Sequence, residues 1–196
     1  MQDIVLRRTK IITMESTYVK NLICKVINKS ESDNWDDAVM EWEIIDCEED
    51  ESCSEMCICG KENIKYLYTI KNIYNANILF PIGSSCIKKF DRKDLREKTT
   101  LMEAQFKLLH AVEKNQFLML STDLFTRRLL LWLYEEGAFN SKYNTYNGEV
   151  DYNFMLKMFN KRNKDDITVA QRKKIAAILL NSIKPFLQDV LACKVR

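Results

Sequence analysis

The chain of 196 residues is 46% hydrophobic and 30% charged, which allows a buried core in one ordinary domain or in a small module joined to a helical one. No run approaches the roughly 18 uninterrupted apolar residues of a membrane span. Arg7, Arg8 and Lys10 interrupt the apolar N-terminal stretch, which disfavours a secretory signal. We therefore expect a cytoplasmic protein that has no membrane partner.

The formal net charge of +2 conceals a separation of charge along the sequence. Residues 31–60 contain twelve acidic residues and no lysine or arginine, whereas the rest of the chain has thirty basic residues against sixteen acidic ones. Such a separation predicts a dipolar surface and charged partners. The alternative is that the acidic stretch is only a solvated loop.

The first half of the chain mixes helical and strand patterns. Apolar residues recur every three or four positions from Met14 to Ile27, which predicts an amphipathic helix. "SDNWDD" can begin a second short helix, and "EWEIIDC" predicts a strand with Trp42 and Ile44 on one face. "NIKYLYTIKNIYNANILF" predicts a β-hairpin, because residues 64–71 alternate between two faces and "YNAN" supplies a turn.

The chain after Phe90 has the pattern of helices, with several signals for their ends. These signals are the capping pairs Thr100 with Glu103 and Thr168 with Gln171, the cluster Ser121–Asp123, Asp151, Gly137 at a helix C-terminus, and Pro185 at the start or a kink of the last helix. We predict two parts that pack together. Residues 1–98 hold the N-terminal helix and the hairpin module, and residues 99–196 form a helical domain.

Seven cysteines are present, an odd and unevenly spaced set that argues against a secreted disulfide framework and favours metal ligands. Residues 57–60 form a C-x-C-G sequence that can turn tightly round one ion, and the glycine lets the backbone close. Cys86 follows the hairpin at the start of a short helix, whose partial positive end favours a thiolate. Zinc takes four ligands, and the fourth is Cys53 or, as the alternative, Cys47.

A knuckle, a hairpin and a ligand at a helix N-terminus are the plan of a treble-clef zinc finger. We predict one structural Zn²⁺ per chain, with buried free thiols and a catalytic zinc site as alternatives. The predicted ligands are Cys53, Cys57, Cys59 and Cys86. Cys24 and Cys193 lie on amphipathic helices and are predicted to belong to the core. The predicted fold class is α+β, with a small zinc-binding, treble-clef-like β-hairpin module packed with a mainly α-helical C-terminal half.

The segment "CICGKENIKYLYTIKNIYNANILFPIGSSCIKKF" resembles an element of uncharacterised phage- and prophage-associated proteins of Gram-positive bacteria. The shared pattern is C-x-C-G, then I-x-N, then (V/I)-G-(S/N)-x-C-(I/V)-K-K-F, and it covers under a fifth of the chain. The resemblance implies a small zinc module on a mobile element, and it supplies no catalytic residue. Many of those relatives have histidine after the glycine, where this chain has Lys61, and this departure favours Cys53 as the fourth ligand.

Sequence signals for an enzyme are weak, and we predict that the protein is not one. The single histidine, His110, lies in the apolar helical pattern "FKLLHAV", which favours a core or helix-surface position over a catalytic base. The sequence has no P-loop, G-x-S-x-G elbow or H-E-x-x-H motif. Two classes of binding protein remain.

The first class is a zinc-finger protein that binds nucleic acid. Basic residues follow the last cysteine of the motif and cluster again further on, and they could contact phosphates. The candidate residues are Lys88, Lys89, Lys161, Arg162, Arg172 and Lys173. Against this class, charged helix faces usually meet only solvent.

The second class is a protein-binding inhibitor, and this is the predicted function. Small non-catalytic proteins on phage elements often block host defence nucleases, whose nucleic-acid channels are basic. An acidic stretch held rigid by zinc could dock there, and opposite charge would steer association. The candidate residues are Asp46, Glu48, Glu49, Asp50 and Glu51. In size, in lack of enzymatic motifs and in the origin that the phage resemblance implies, the chain resembles anti-CRISPR proteins against Cas9, so the predicted partner is a host defence protein such as Cas9.

Overall fold

A computed structural model of the chain describes residues 16–114 and 120–196. The chain divides into two compact units, the first reaching Thr99 and including Arg196, the second running from Thr100 to Val195. The first unit has a three-stranded antiparallel sheet with short helices, and the second is helical. The predicted α+β class, with a cysteine cluster beside the hairpin, is confirmed.

The first unit opens with helix α1, Thr17–Ile27, which buries Leu22 and Val26. Its predicted start, Met14, lies outside the described residues. A second short helix, α2, spans Trp35–Ala38 as predicted, and the Asn34 side chain caps it by accepting a hydrogen bond from the Asp37 backbone N–H. A 3-10 turn, Val39–Glu41, leads from α2 into the sheet.

The sheet consists of β1, Trp42–Glu49, β2, Tyr66–Asn72, and β3, Ile78–Ile82, in the order β1-β2-β3. Trp42 and Ile44 are both buried, as the alternation predicts. In β2 the predicted alternation of faces is incomplete, because Leu67 and Tyr68 are both fully buried. Successive side chains of a strand point to opposite faces of the sheet, so the burial of both residues means that both faces of β2 are covered at this point.

Helix α3, Ser84–Ile87, follows β3 directly, and a 3-10 turn, Lys88–Phe90, leads to the long helix α4, Lys93–Glu113. The capping pair predicted at Thr100 and Glu103 is wrong, because both residues lie inside α4. Helix α4 begins earlier in the chain than the predicted cap, and tertiary contacts favour this start. Arg92 donates hydrogen bonds to the carbonyls of Val39 and Trp42, at 3.0 and 2.6 Å. These bonds fix the chain just before α4 begins.

The second unit contains α5, Arg127–Glu135, α6, Glu149–Phe159, α7, Val169–Ile178, a π-helical turn, Leu179–Ile183, and α8, Lys184–Leu191. Its buried apolar residues include Leu129, Leu133, Phe139, Met155, Met158, Ile175, Leu179, Ile183 and Leu187. Such side chains repeat at helical spacing on each element, which is why these segments form amphipathic helices around one core.

The observed helix ends in the second unit can be compared with the capping residues that the sequence predicts. The capping box of Thr168 with Gln171, Gly137 with its positive φ of 79°, and Pro185 in the first turn of α8 are confirmed. The cap at Ser121–Asp123 is wrong, since the Thr126 hydroxyl accepts from the Leu129 N–H and α5 begins later. The cap at Asp151 is also wrong, because this residue lies in the first turn of α6.

One helical run, residues 169–194, is long and apolar enough to cross a membrane when judged by length and composition alone. One third of its most apolar window is buried inside the protein. A core helix satisfies the same criterion, so this run is weak evidence for a membrane span.

Candidate metal centre

The first two cysteines of the site lie in a tight turn between β1 and β2. The Gly60 N–H donates to the carbonyl of Cys57 at 2.7 Å, and the Cys57 N–H donates to the carbonyl of Lys61 at 2.9 Å. Gly60 has a φ of +94°, which residues with a side chain rarely adopt. Asn21 of α1 donates its side-chain amide to the carbonyl of Cys59 at 3.1 Å. This turn, residues 57–61, is called the knuckle here. It is closed by its own backbone hydrogen bonds and is joined to α1 through the side chain of Asn21.

The third cysteine returns to this turn through the hairpin. The Ile58 N–H donates to the carbonyl of Pro81 at 2.9 Å, which joins the knuckle to the end of β3. The Gly83 N–H then donates to the sulfur of Cys57 at 3.3 Å. Cys86 lies in the first turn of α3 and is held by a hydrogen bond from its N–H to the carbonyl of Gly83. The hairpin thus brings two distant segments of the chain to one point.

The sulfur atoms of Cys57, Cys59 and Cys86 all lie within 4.8 Å of one another, and we refer to them as the cysteine triad. The three residues are 3%, 1% and 5% exposed. A hydrogen bond with Cys86, opposed by burial and assisted by the backbone N–H groups of Cys59 and Gly83, lowers the pKa of Cys57 to about 5. The same bond and burial raise the pKa of Cys86. The triad can hold a metal ion, because thiolate is the ligand form of cysteine and one thiolate forms readily.

Cys53 and Cys47, the two candidates for the fourth ligand, lie outside the triad. The sulfur of Cys53 is 3.6 Å from the carbonyl oxygen of Asp50, and the residue has a positive φ of 52°. The sulfur of Cys47 is 3.7 Å from the carbonyl of Glu48. The structure therefore brings together three of the four predicted ligands.

Asp50 organises the loop that carries Cys53, a role that the sequence analysis missed. Its carboxylate accepts hydrogen bonds from the N–H and hydroxyl of Ser52, at 2.9 and 2.5 Å, from those of Ser54, at 2.7 and 3.2 Å, and from the Glu55 N–H, at 3.1 Å. The bond from the Ser52 hydroxyl, opposed by burial and joined by the others, lowers the pKa of Asp50 to about 2. A signal was present, since an aspartate followed at two and four positions by serine favours such a side-chain-to-backbone turn.

The acidic residues proposed for partner binding are divided between interior and surface. Glu49 is fully buried and forms an ion pair of 2.9 Å with Lys65, and Asp50 is 3% exposed. Glu48 is half-buried and forms an ion pair with Arg196. Asp46 is also half-buried, whereas Glu51 is exposed. Glu49 and Asp50 therefore have their carboxylates turned inward and cannot reach a partner.

The basic residues proposed for nucleic-acid binding are mostly at the surface. Lys88 and Lys89 are exposed on the 3-10 turn that follows α3. In the second unit Arg162, Arg172 and Lys173 are exposed, and Lys161 is half-buried. The side chain of Lys161 donates to the carbonyl of Asp166 at 2.6 Å, and that of Arg172 donates to the carbonyl of Ile167 at 3.1 Å. These two cations are therefore partly occupied by the protein itself.

Two predictions about single residues have different outcomes. Cys24 and Cys193 are exposed, so their predicted place in the core is wrong. In α1 the buried residues are Leu22 and Val26, two positions either side of Cys24, which puts the cysteine on the opposite face of the helix. His110 lies on α4 with its Nδ1 3.9 Å from a carboxylate oxygen of Glu113, a helix-surface position of the kind expected.

Comparison with models of known protein families, with curated protein sequences and with solved structures finds no match to this chain.

Proposed function

We propose that the chain is a non-enzymatic binding protein whose first unit is stabilised by one zinc ion at the cysteine triad. This proposal rests on one observation: three buried sulfur atoms, from two segments that are distant in the sequence, lie within 4.8 Å of one another. Without a metal, the folded state would have to hold a thiolate and two further thiols together in a desolvated site. Zinc favours thiolate ligands and would bind the knuckle to α3 across the hairpin.

The partner in this proposal is a protein, and the class of function is the inhibition of a host defence nuclease complex such as Cas9. Support comes from the resemblance of the C-x-C-G to C-I-K-K-F segment to phage-associated proteins and from the acidic character of residues 31–60. Of the acidic residues first considered, Glu51 is the best placed to contact a basic partner, because it is exposed. Other exposed acids of the same stretch are Glu31, Asp33, Asp36, Asp37 and Glu43.

Nucleic-acid binding is the second candidate, favoured by one observation. Five of the six basic residues considered for this role are exposed, namely Lys88, Lys89, Arg162, Arg172 and Lys173. Contacts from such residues to phosphates would release counterions, so binding would weaken steeply as salt is raised.

One experiment separates the two candidates. The full chain is immobilised, exposed to host lysate with and without nuclease, and the retained proteins are identified by mass spectrometry. Retention of one defence-complex protein after nuclease treatment is the result expected for an inhibitor. Recovery that disappears with nuclease and with added salt would support the nucleic-acid candidate instead.

Charge reversal at exposed positions tests the surface. Glu43→Lys with Glu51→Lys should abolish capture of the protein partner, because both acids face solvent. Arg172→Glu with Lys173→Glu is the matched control in the second unit, since these residues are also exposed. If capture is lost with the control and unchanged with the acidic pair, the proposed acidic interface is wrong.

A further inference from the structure

A cavity of about 160 Å³ opens beside two members of the cysteine triad. Its lining includes Cys57, Cys86, Lys61, Lys65, Ser84 and Ser85. Both lysines are exposed, and Lys65 is paired with the buried Glu49. Two of the three cysteines of the triad therefore border a small pocket that lysine and serine residues also line.

No side chain of the described residues supplies a fourth ligand to the triad. Among residues 16–114 and 120–196, no further His, Cys, Asp or Glu joins the three sulfurs within 4.8 Å. The only histidine of the chain, His110, belongs to the second unit. Cys24 is exposed on α1, and its sulfur accepts a hydrogen bond from the Asn28 side chain.

Cys53 is held away from the triad by the loop around Asp50. Its N–H donates to the carbonyl of Asp50 at 3.2 Å, and its sulfur lies against the same oxygen. The Asp50 carboxylate fixes the loop on both sides of this cysteine through Ser52 and Ser54. For Cys53 to become a ligand, its sulfur would have to leave this carbonyl oxygen while the charge-assisted hydrogen bonds of Asp50 hold the backbone on both sides of the cysteine.

We infer that the metal takes three ligands from the chain, Cys57, Cys59 and Cys86, and that its fourth position opens into the cavity and accepts a small anionic thiol from solution. This inference rests on the proposed metal centre. A soft thiolate suits a site that already has three sulfurs. The exposed Lys61 at the cavity would offset the negative charge that a fourth thiolate adds, whereas the charge of Lys65 is already paired with Glu49.

Cobalt substitution measures the number of thiolates directly. The full chain is loaded with Co²⁺ in a buffer with a phosphine reductant, so that no added thiol is present, and the thiolate-to-cobalt charge-transfer band is recorded. Wild type and Cys53→Ser should both give the intensity of three thiolates, as should the matched control Cys24→Ser. Glutathione should then raise the band in all three proteins to the intensity of four thiolates.

A second measurement tests whether the positive charge of Lys61 at the cavity favours an anionic thiol. Lys61→Glu should weaken the binding of glutathione several-fold while leaving that of the uncharged thiol 2-mercaptoethanol nearly unchanged, because only the first carries carboxylates. A four-thiolate band in the wild type that falls to three in Cys53→Ser, with no response to glutathione, would overturn the inference while leaving the metal centre intact. A wild-type chain that takes up no Co²⁺ would overturn the metal centre itself.

Discussion

The sulfurs of Cys57 and Cys86 lie 3.6 Å apart although 29 positions separate the two residues in the chain. The sheet makes this approach possible, because β2 and β3 carry the chain away from the knuckle and back to it. The Gly83 N–H completes the arrangement by donating to the sulfur of Cys57. A hydrogen bond that orients a ligand atom in this way commonly affects the metal affinity of a site.

The first prediction concerns the cysteines that would hold the proposed zinc ion. Cys57→Ser or Cys86→Ser should lower zinc affinity by more than about 100-fold, since even changes around a ligand commonly cost 10- to 100-fold. The unfolding temperature of the first unit should fall with it, because metal binding is coupled to folding. Competition with a chromogenic chelator and thermal unfolding followed by circular dichroism measure the two effects.

The matched control is Cys24→Ser, which changes an exposed cysteine of the same unit. It should leave both the zinc affinity and the unfolding temperature at the wild-type values. Metal-free wild type that melts at the temperature of the zinc-loaded protein would contradict a stabilising role for the metal.

The second prediction compares two neighbouring acidic residues. Glu49→Lys should destabilise the first unit by more than about 3 kcal/mol, because it places a cation in a fully buried position and replaces the carboxylate that pairs with Lys65 at 2.9 Å. Glu51→Lys should change the free energy of unfolding by no more than about 0.5 kcal/mol, since that side chain is exposed. Urea unfolding of both variants measures the difference, and equal effects would show that burial does not separate the two positions.

The third prediction is a pH dependence of stability that comes from Asp50. Its pKa is about 2 in the folded protein, below the ordinary value of 3.8, so its carboxylate stabilises the fold above pH 3.8. That contribution is lost as the pH falls from about 4 to about 2, because the unfolded chain then binds the proton more readily. Asp50→Asn should lower stability at pH 7 and flatten the stability profile over this interval.

Urea unfolding at a series of pH values measures this effect, with Asp33→Asn as the control because Asp33 is exposed. The pKa of Glu41 is also lowered, so Glu41 contributes a pH dependence of the same sign. Burial raises its pKa, but hydrogen bonds from Asn72 and from the Glu31 and Ser32 backbones outweigh burial and lower it. A profile for Asp50→Asn parallel to that of wild type would mean that the carboxylate does not make these hydrogen bonds in solution.

The fourth prediction concerns a close approach in the second unit. A Cβ added at Gly148 would lie 2.7 Å from the Cβ of Phe139 and 2.8 Å from the side-chain oxygen of Asn140. Gly148→Ala should therefore destabilise this unit by about 1–3 kcal/mol through overpacking. Gly83→Ala is the control for adding a methyl group, because its Cβ would meet no atom closer than 3.4 Å. Chemical unfolding that finds no loss in Gly148→Ala would contradict the packing of this loop.

Local patterns in the sequence were sufficient to predict most of the elements and part of the site. The alternation in "EWEIIDC" and the hairpin reflect the two-residue repeat of a strand, and the capping box at Thr168 reflects hydrogen bonds that span one helical turn. The C-x-C-G turn is equally local, because its closing hydrogen bond joins Cys57 to Gly60. The start of α4 was missed because Arg92 is fixed by carbonyls some fifty positions earlier in the chain.

Folding decided which acidic residues and which cysteines are available, through a tertiary ion pair at Glu49 and through a local hydrogen-bonded loop around Asp50. In the sequence Glu49, Asp50 and Glu51 are equivalent members of one acidic run. In the folded chain Glu49 is buried and paired with Lys65, and Asp50 is held by hydrogen bonds from Ser52 and Ser54. Cys53 satisfies the spacing of a zinc ligand, yet the same loop turns its sulfur towards a carbonyl oxygen. The spacing of residues along the sequence limits only which side chains are able to come together. Which of them do meet depends on competing hydrogen bonds and on burial, and those exist only once the chain has folded.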